Sequence, residues 1–225
     1  MIPDQAAERA VGQGARTTVG VIGFGKVGTV LARLAHVAGY RVLAAGSGDP
    51  AAISLSAEVL TPGVETGWAQ EVAETADIVI LAVPLRACRD LPAAQLSGKI
   101  VVDAINHWLE TDGPRADWLD ADETSSERLQ RALPGARLVK GFNHLGYHDL
   151  DERSRPHGTS HRVAVGLASD DADALSQVAA LVDTLGFDPV PVGPLRSGRV
   201  LEPGGPIFGD VLGAEALQVR LRRAA

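Results

Sequence analysis

The chain has 225 residues, 45% of them hydrophobic, a formal net charge of −7 and a single cysteine. That is enough chain and enough apolar content for one large domain, or one domain with a small annex. The acidic balance, with no basic block longer than the "RLRR" at 220–223, argues against nucleic acid, and a lone Cys88 rules out an internal disulfide and favours a cytoplasmic setting.

Residues 1–16 lack the apolar core of a signal peptide and read as a flexible extension. No apolar run reaches membrane-spanning length, so no membrane partner is expected. "TTVGVI" (17–22) is a β-branched run that predicts a buried strand. From Lys26 to Ala38, the residues Val27, Val30, Leu31, Leu34, Ala35 and Ala38 share one helical face, and Gly39 ends that helix. "YRVLAA" (40–45) is a second strand. Asp49-Pro50 then reads as an N-cap and a first-turn proline of a short helix. "ADIVILAVP" (76–84) and "KIVVDAIN" (99–106) are further strands. The acid-rich stretch 107–126, with Trp108 and Trp118, is expected as a surface loop, followed by the helix "SERLQRAL". "ARLVKGFN" (136–143), "HRVAVGLAS" (161–169) and "DPVPVGP" (188–194) are strands, with a helix over 171–187 and a last helix near 210–223. Strands alternating with helices imply an α/β fold with a mainly parallel sheet.

The turn between the first strand and helix is "GFGKVG", a G-x-G-x-x-G at Gly23, Gly25 and Gly28. Its position between strand and helix, with a second strand at the right distance, is the context of a Rossmann, doubly wound dinucleotide-binding unit. Gly23 allows the tight turn, Gly25 admits a pyrophosphate to the backbone, and Gly28 lets helix and strand approach. Phe24, Lys26 and Val27 belong to the same cofactor-binding loop, whose helix N-terminus favours an anion. The second strand ends in Gly46-Ser47-Gly48 where an NAD site usually has a carboxylate. Ser47 can donate to the extra phosphate of NADP, so NADP is expected over NAD. Against this, Asp49 is negative and no Lys or Arg lies between Ser47 and Pro84. Arg86 either folds over this site or is a solvated surface residue. His144 and His148 are four apart and could join Asp149 or Asp151 at a metal, but Gly146 argues against the regular helix this requires, and no metal is assigned. Asn143 and His144 end an apolar strand and are the pocket candidates for a second substrate. There is no G-x-S-x-G elbow, which disfavours a hydrolase. Cys88 reads as a small buried apolar group.

Four segments, "VIGFGKVG", the "GS" after strand two, "VILAVPL" and "PVGPLRSGRVLE", resemble the family of NADP oxidoreductases dependent on the deazaflavin coenzyme F420. "DAIN" and "VKGFNHLGYHDL" resemble its actinobacterial-type predicted dinucleotide-binding reductases. The resemblance spans roughly 17–202. It implies hydride transfer between NADP and the deazaflavin, with the nicotinamide at the strand ends and the deazaflavin in a pocket closed by a small C-terminal annex, about 186–225. Val83, Pro84 and Asn106, at strand ends in these segments, are further cofactor-binding candidates. Two departures stand out: no basic residue follows the "GS", and "PGGPIFGD" after Glu202 interrupts the family's long helix. The alternatives are an NADPH-dependent reductase of a small carbonyl, imine or flavin, and a non-catalytic dinucleotide sensor. The tryptophans and apolar C-terminus suggest a homodimer.

Overall fold

A computed structural model describes residues 17–224, and the expected N-terminal extension over 1–16 lies outside them. The chain runs β1 (Thr18–Ile22), α1 (Lys26–Val37), β2 (Arg41–Ala45), α2 (Ala51–Leu60), β3 (Glu65–Thr66), α3 (Ala69–Thr75) and β4 (Ile78–Leu81). It continues through β5 (Ile100–Asp103), α4 (Ser125–Ala132), β6 (Arg137–Lys140), α5 (Tyr147–Arg153), β7 (Ala164–Ala168), α6 (Ala172–Thr184), β8 (Asp188–Gly193) and α7 (Ala214–Ala224). The described strands form one sheet in the order β3-β2-β1-β4-β5-β6-β7-β8. All neighbours are parallel except β6 and β7, which meet antiparallel through the pair Lys140–Ala168.

The uninterrupted apolar strands follow from burial on both faces. Val19, Val21, Ile78 and Ile80 point into a core shared with α1 and α6. Their alternates Ile22, Val79 and Leu81 point into a second core shared with α3 and α4. A third cluster, Ala164, Val190, Leu201, Ile207 and Leu217, lies under α7. The segment after Glu202 is therefore packed on β7 and β8, and its helix starts at Ala214, four residues after the expected 210. Among the described residues no helix is long and apolar enough to cross a membrane.

The stretch 107–126 departs from the expected surface loop. Residues 109–112 and 115–117 form short helical turns, and Asp112, Leu119, Glu123, Thr124, Ser125 and Ser126 are buried. Glu110, Asp117, Asp120 and Asp122 stay exposed, while Asp112 is held inside. The Asp112 carboxylate accepts from the Trp108 N–H at 2.9 Å and the Arg86 N–H at 3.0 Å, and its carbonyl accepts from the Trp118 indole. Arg89 stacks over the Trp118 ring at 4.3 Å. The two-residue β3 is too short to show periodicity in a sequence. Arg41 pins it to β2 through both carboxylate oxygens of Glu65, at 2.9 and 2.8 Å.

Candidate functional site

The β1–α1 turn sits where the strand order reverses, with β2 on one side of β1 and β4 on the other. Ligand crevices form at such a point, outside the C-terminal strand ends. The three motif glycines have different local reasons. Gly23 has φ +105°, and a Cβ there would collide with the Ala82 carbonyl. A Cβ on Gly28 would collide with the Gly23 carbonyl oxygen. Gly25 has φ −85° and no neighbouring atom within 4 Å of its notional Cβ. Nothing in the described chain demands a glycine there; only something entering from the cleft would. Gly25 is also the N-cap of α1 and offers no side-chain cap, so the first-turn amides have no acceptor within the helix. The residues present thus fit a phosphate-bearing group: a backbone cradle that a Cβ would fill, facing uncapped amides.

In front of this turn lies a cleft of about 570 Å³. It brings together Gly23, Phe24, Gly25, Ser47, Val83 and Pro84 from the expected cofactor set. Lys26, Val27 and Gly28 do not line it. The Lys26 ammonium lies 5.0 Å over the Tyr147 ring, Val27 packs against the core, and Gly28 is buried. Arg86 does not fold over the cleft either, because its guanidinium donates to the Thr111 carbonyl. At the β2 end, Ser47 is exposed on the cleft wall. Asp49 accepts from the Ala51 N–H at 2.9 Å, so its charge is turned to the start of α2. That helix begins one residue later than the sequence suggests, with Pro50 at the cap.

Asn106, Asn143 and His144 lie apart from this cleft, at the ends of β5 and β6. Phe142, in the left-handed region at φ 64°, turns the chain sharply out of β6. Asn143 is 4% exposed; its amide donates to Asn106 Oδ1 at 3.0 Å and to the Leu201 carbonyl at 2.7 Å. Asn106 returns a bond to the Asn143 carbonyl at 2.8 Å. The expectation that His144 lines a substrate pocket meets a ring only 1% exposed, whose Nε2 accepts from the Gly166 N–H of β7 at 3.0 Å. Burial pushes its pKa down to about 4, with the Asp210 carboxylate opposing, so the ring is neutral. His148 stacks on Tyr147 at 3.9 Å.

Behind the Asn106–Asn143 pair is a charged cluster that the sequence reading missed. Lys140, fully buried, donates to Asp103 Oδ2 at 3.3 Å, to the Ile105 carbonyl at 3.1 Å and to Ser125 Oγ at 3.1 Å. Glu202 lies 3.6 Å from the same ammonium and accepts from the Ser125 N–H and hydroxyl. The "SGRVLE" segment thus reaches back to the sheet: Glu202 joins the cluster and Leu201 holds Asn143. Gly198 has to be a glycine, since a Cβ would lie 2.7 Å from Lys140 Cδ. No periodicity reports this, because "RLVK" reads only as part of a strand and the partners of its lysine lie far away in sequence. Beyond it, Trp108 and Phe208 meet edge to face at 5.8 Å. Cys88 is buried, and desolvation pushes its thiol up to about 12. Among the described residues, no three His, Cys, Asp or Glu side chains group as metal ligands.

Residues 18–107 match the family model described as NADP oxidoreductase, coenzyme F420-dependent. A hypothetical protein from Sinorhizobium meliloti is 30% identical with a TM-score of 0.73, over 87% of this chain and 95% of that one. A protein from Arthrobacter sp. FB24, assigned as an F420-dependent NADP reductase, is 25% identical with a TM-score of 0.69, over 81% and 87% of the two chains. The human metalloreductase STEAP2 is 28% identical over 83% of this chain but only 35% of its own length. The chain therefore spans about a third of the curated relatives it matches.

Proposed function

The chain belongs to the family of coenzyme F420-dependent NADP oxidoreductases, and from that premise we propose that it moves a hydride between NADP(H) in the cleft and the deazaflavin F420 beyond the β5 and β6 ends. The observation that carries the cofactor half is Gly25, a glycine with no protein-side reason, facing the uncapped start of α1. The Gly23–Gly28 backbone holds the pyrophosphate, Ser47 donates to the 2′-phosphate, and Val83 and Pro84 line the path to the nicotinamide. Bound there, the dinucleotide supplies or accepts the hydride. The chain's own task is to hold two rings close, aligned and out of water, which needs no acid–base pair. Asn106, 9% exposed at the β5 end, is the polar group offered to that site. Asn143 fixes the Asn106 amide from behind, and Trp108 with Phe208 gives an aromatic wall beside it.

The metalloreductase relatives favour a second reading, in which the same unit passes the hydride from NADPH to another acceptor, such as a flavin, a small carbonyl or an imine. A third, a dinucleotide sensor, predicts binding without turnover. A homodimer and a cytoplasmic setting complete the proposal. The exposed Leu55, Val59 and Leu60 of α2 and Val37 of α1 are apolar surface that a second copy would cover, and sedimentation checks this. The deciding assay mixes NADPH, the protein and oxidised deazaflavin, and follows visible absorbance. Loss of the deazaflavin band at enzyme-dependent rate is expected. Turnover with flavin alone favours the second reading, and NADPH binding without turnover favours the third.

A further inference from the structure

Costs to stability converge on Asn106. Lys140 is an ammonium buried beside two carboxylates, Asp103 at 3.3 Å and Glu202 at 3.6 Å. Apolar residues of the same volume often hold such a place as well or better. Phe142 takes φ 64°, where a bulky side chain is strained, and so turns Asn143 out of β6. Asn143 spends both amide hydrogens, on Asn106 Oδ1 and on the Leu201 carbonyl, while its own Oδ1 is buried without a partner among the described residues. Arrangements that stability does not ask for gather where function does. Here they meet on one stretch of backbone. Asp103 Oδ1 accepts from the Ile105 N–H at 2.9 Å, and the Lys140 ammonium donates to the Ile105 carbonyl at 3.1 Å. A single ion pair therefore holds the peptide groups on both sides of Ile105, and the second of them leads into Asn106. The Ser126 hydroxyl in turn holds Asp103 Oδ2 at 2.6 Å. The Asn106 carboxamide is fixed separately. Its Nδ2 donates to the Asn143 carbonyl and its Oδ1 accepts from Asn143 Nδ2, so the two ends cannot exchange places. One Nδ2 hydrogen is left over.

We propose that Lys140 and Asp103 are positioning residues for the second substrate: they aim the remaining Nδ2 hydrogen of Asn106 at a ring carbonyl of the hydride acceptor. The inference deepens the hydride-transfer reading above and rests on it. A conjugated ring that accepts a hydride gains negative charge, and part of that charge falls on its carbonyl oxygens. A donor held in place before the reaction stabilises the charge without reorganising, and it sets the angle between the two rings. An asparagine on an unbraced strand end would do neither. The buried ion pair supplies the bracing, which accounts for an ammonium with no contact to the cleft.

The test compares the parent with Asn106→Ala, Asp103→Asn and the double variant Lys140→Met/Asp103→Leu. Each is assayed with NADPH and oxidised F420, or with riboflavin where that is the acceptor the parent reduces. The double variant removes both charges of the pair together. Asp103→Asn is milder: it keeps an acceptor for Ile105 and leaves Glu202 opposite the ammonium. Circular dichroism shows whether each variant is folded. The acceptor KM should rise about two- to tenfold in all three, the worth of one hydrogen bond. The NADPH dissociation constant, by calorimetry, should stay that of the parent, since none of these residues lines the cleft. A cluster that only braces the fold gives a different pattern: loss of folded protein lowers the apparent kcat in proportion and leaves KM alone. Adding Asn106→Ala to the double variant should raise KM no further, because both changes act through one carboxamide. A parent-like acceptor KM in either folded cluster variant, or additive effects with Asn106→Ala, overturns the positioning role and leaves the hydride-transfer reading intact. A parent protein that reduces neither acceptor overturns both.

Discussion

At Gly25 and Gly28 the same amino acid answers two different constraints, and substitution separates them. Gly25→Val meets open space in the described chain, so the fold should survive while dinucleotide binding is lost. Gly28→Ala drives a methyl into the Gly23 carbonyl and should lower the melting temperature. Calorimetry on a folded Gly25→Val that still took up NADP normally would remove the pyrophosphate from this turn. Ser47→Asp should erase or reverse the NADP preference, because a carboxylate repels the 2′-phosphate and accepts from a ribose hydroxyl. A hydrogen bond to a charged group is worth about 1.5–3 kcal/mol, roughly ten- to a hundredfold. Equal NADP and NAD affinity in the parent would contradict the role given to Ser47. His144 makes a pH prediction. Its folded pKa lies below the unfolded value of about 6.5, so its neutral form contributes stability above that pH. The contribution is lost as pH falls through about 4. His144→Gln keeps an acceptor for Gly166 and should flatten the acid limb of a melting-temperature profile. A variant profile parallel to the parent's would assign that limb to other groups.

Among the elements, β6 carries the largest mismatch between what its sequence suggests and what it does. "RLVK" reads as a strand and says nothing of where its lysine goes; Lys140 is fully buried between Asp103 of β5, Ser125 of α4 and Glu202. A buried ammonium is tolerable only when its partners are in place. Lys140→Met leaves Asp103 buried and uncompensated, and should cost about 3–5 kcal/mol in denaturant unfolding. Adding Asp103→Leu to Lys140→Met should recover part of that loss. A Lys140→Met protein as stable as the parent would mean that the cluster is not needed to join β5, β6 and the 195–202 segment. α1 was legible because its apolar residues recur at helical spacing between a glycine start and a glycine stop. α3 and β3 were not, since their exposed polar residues carry no period.

For the whole molecule, the expectation is one cooperative unit. β6 and β7 share a single backbone pair, but α6 covers both strands, and Phe142 beyond β6 meets Phe187 before β8 edge to face at 6.4 Å. The 195–202 segment crosses back to the end of β6 and to α4 through Leu201 and Glu202. Calorimetric unfolding should show a single transition with equal calorimetric and van't Hoff enthalpies. Two resolved transitions would show that residues after 163 melt as a separate body.

What the sequence determined by itself was local. The α/β class, the glycine turn and the missing carboxylate after β2 are readable because periodicity, turn chemistry and residue type act within a few positions. The tertiary structure alone decided what lies together across the sheet. It brought Asn106 to Asn143, closed Glu202 over Lys140, turned His144 into the interior and set Trp68 on the cleft wall. Each of these joins residues brought together from different strands, helices or loops, and only the order of strands in the sheet and the path of the segments that cross it fix such meetings.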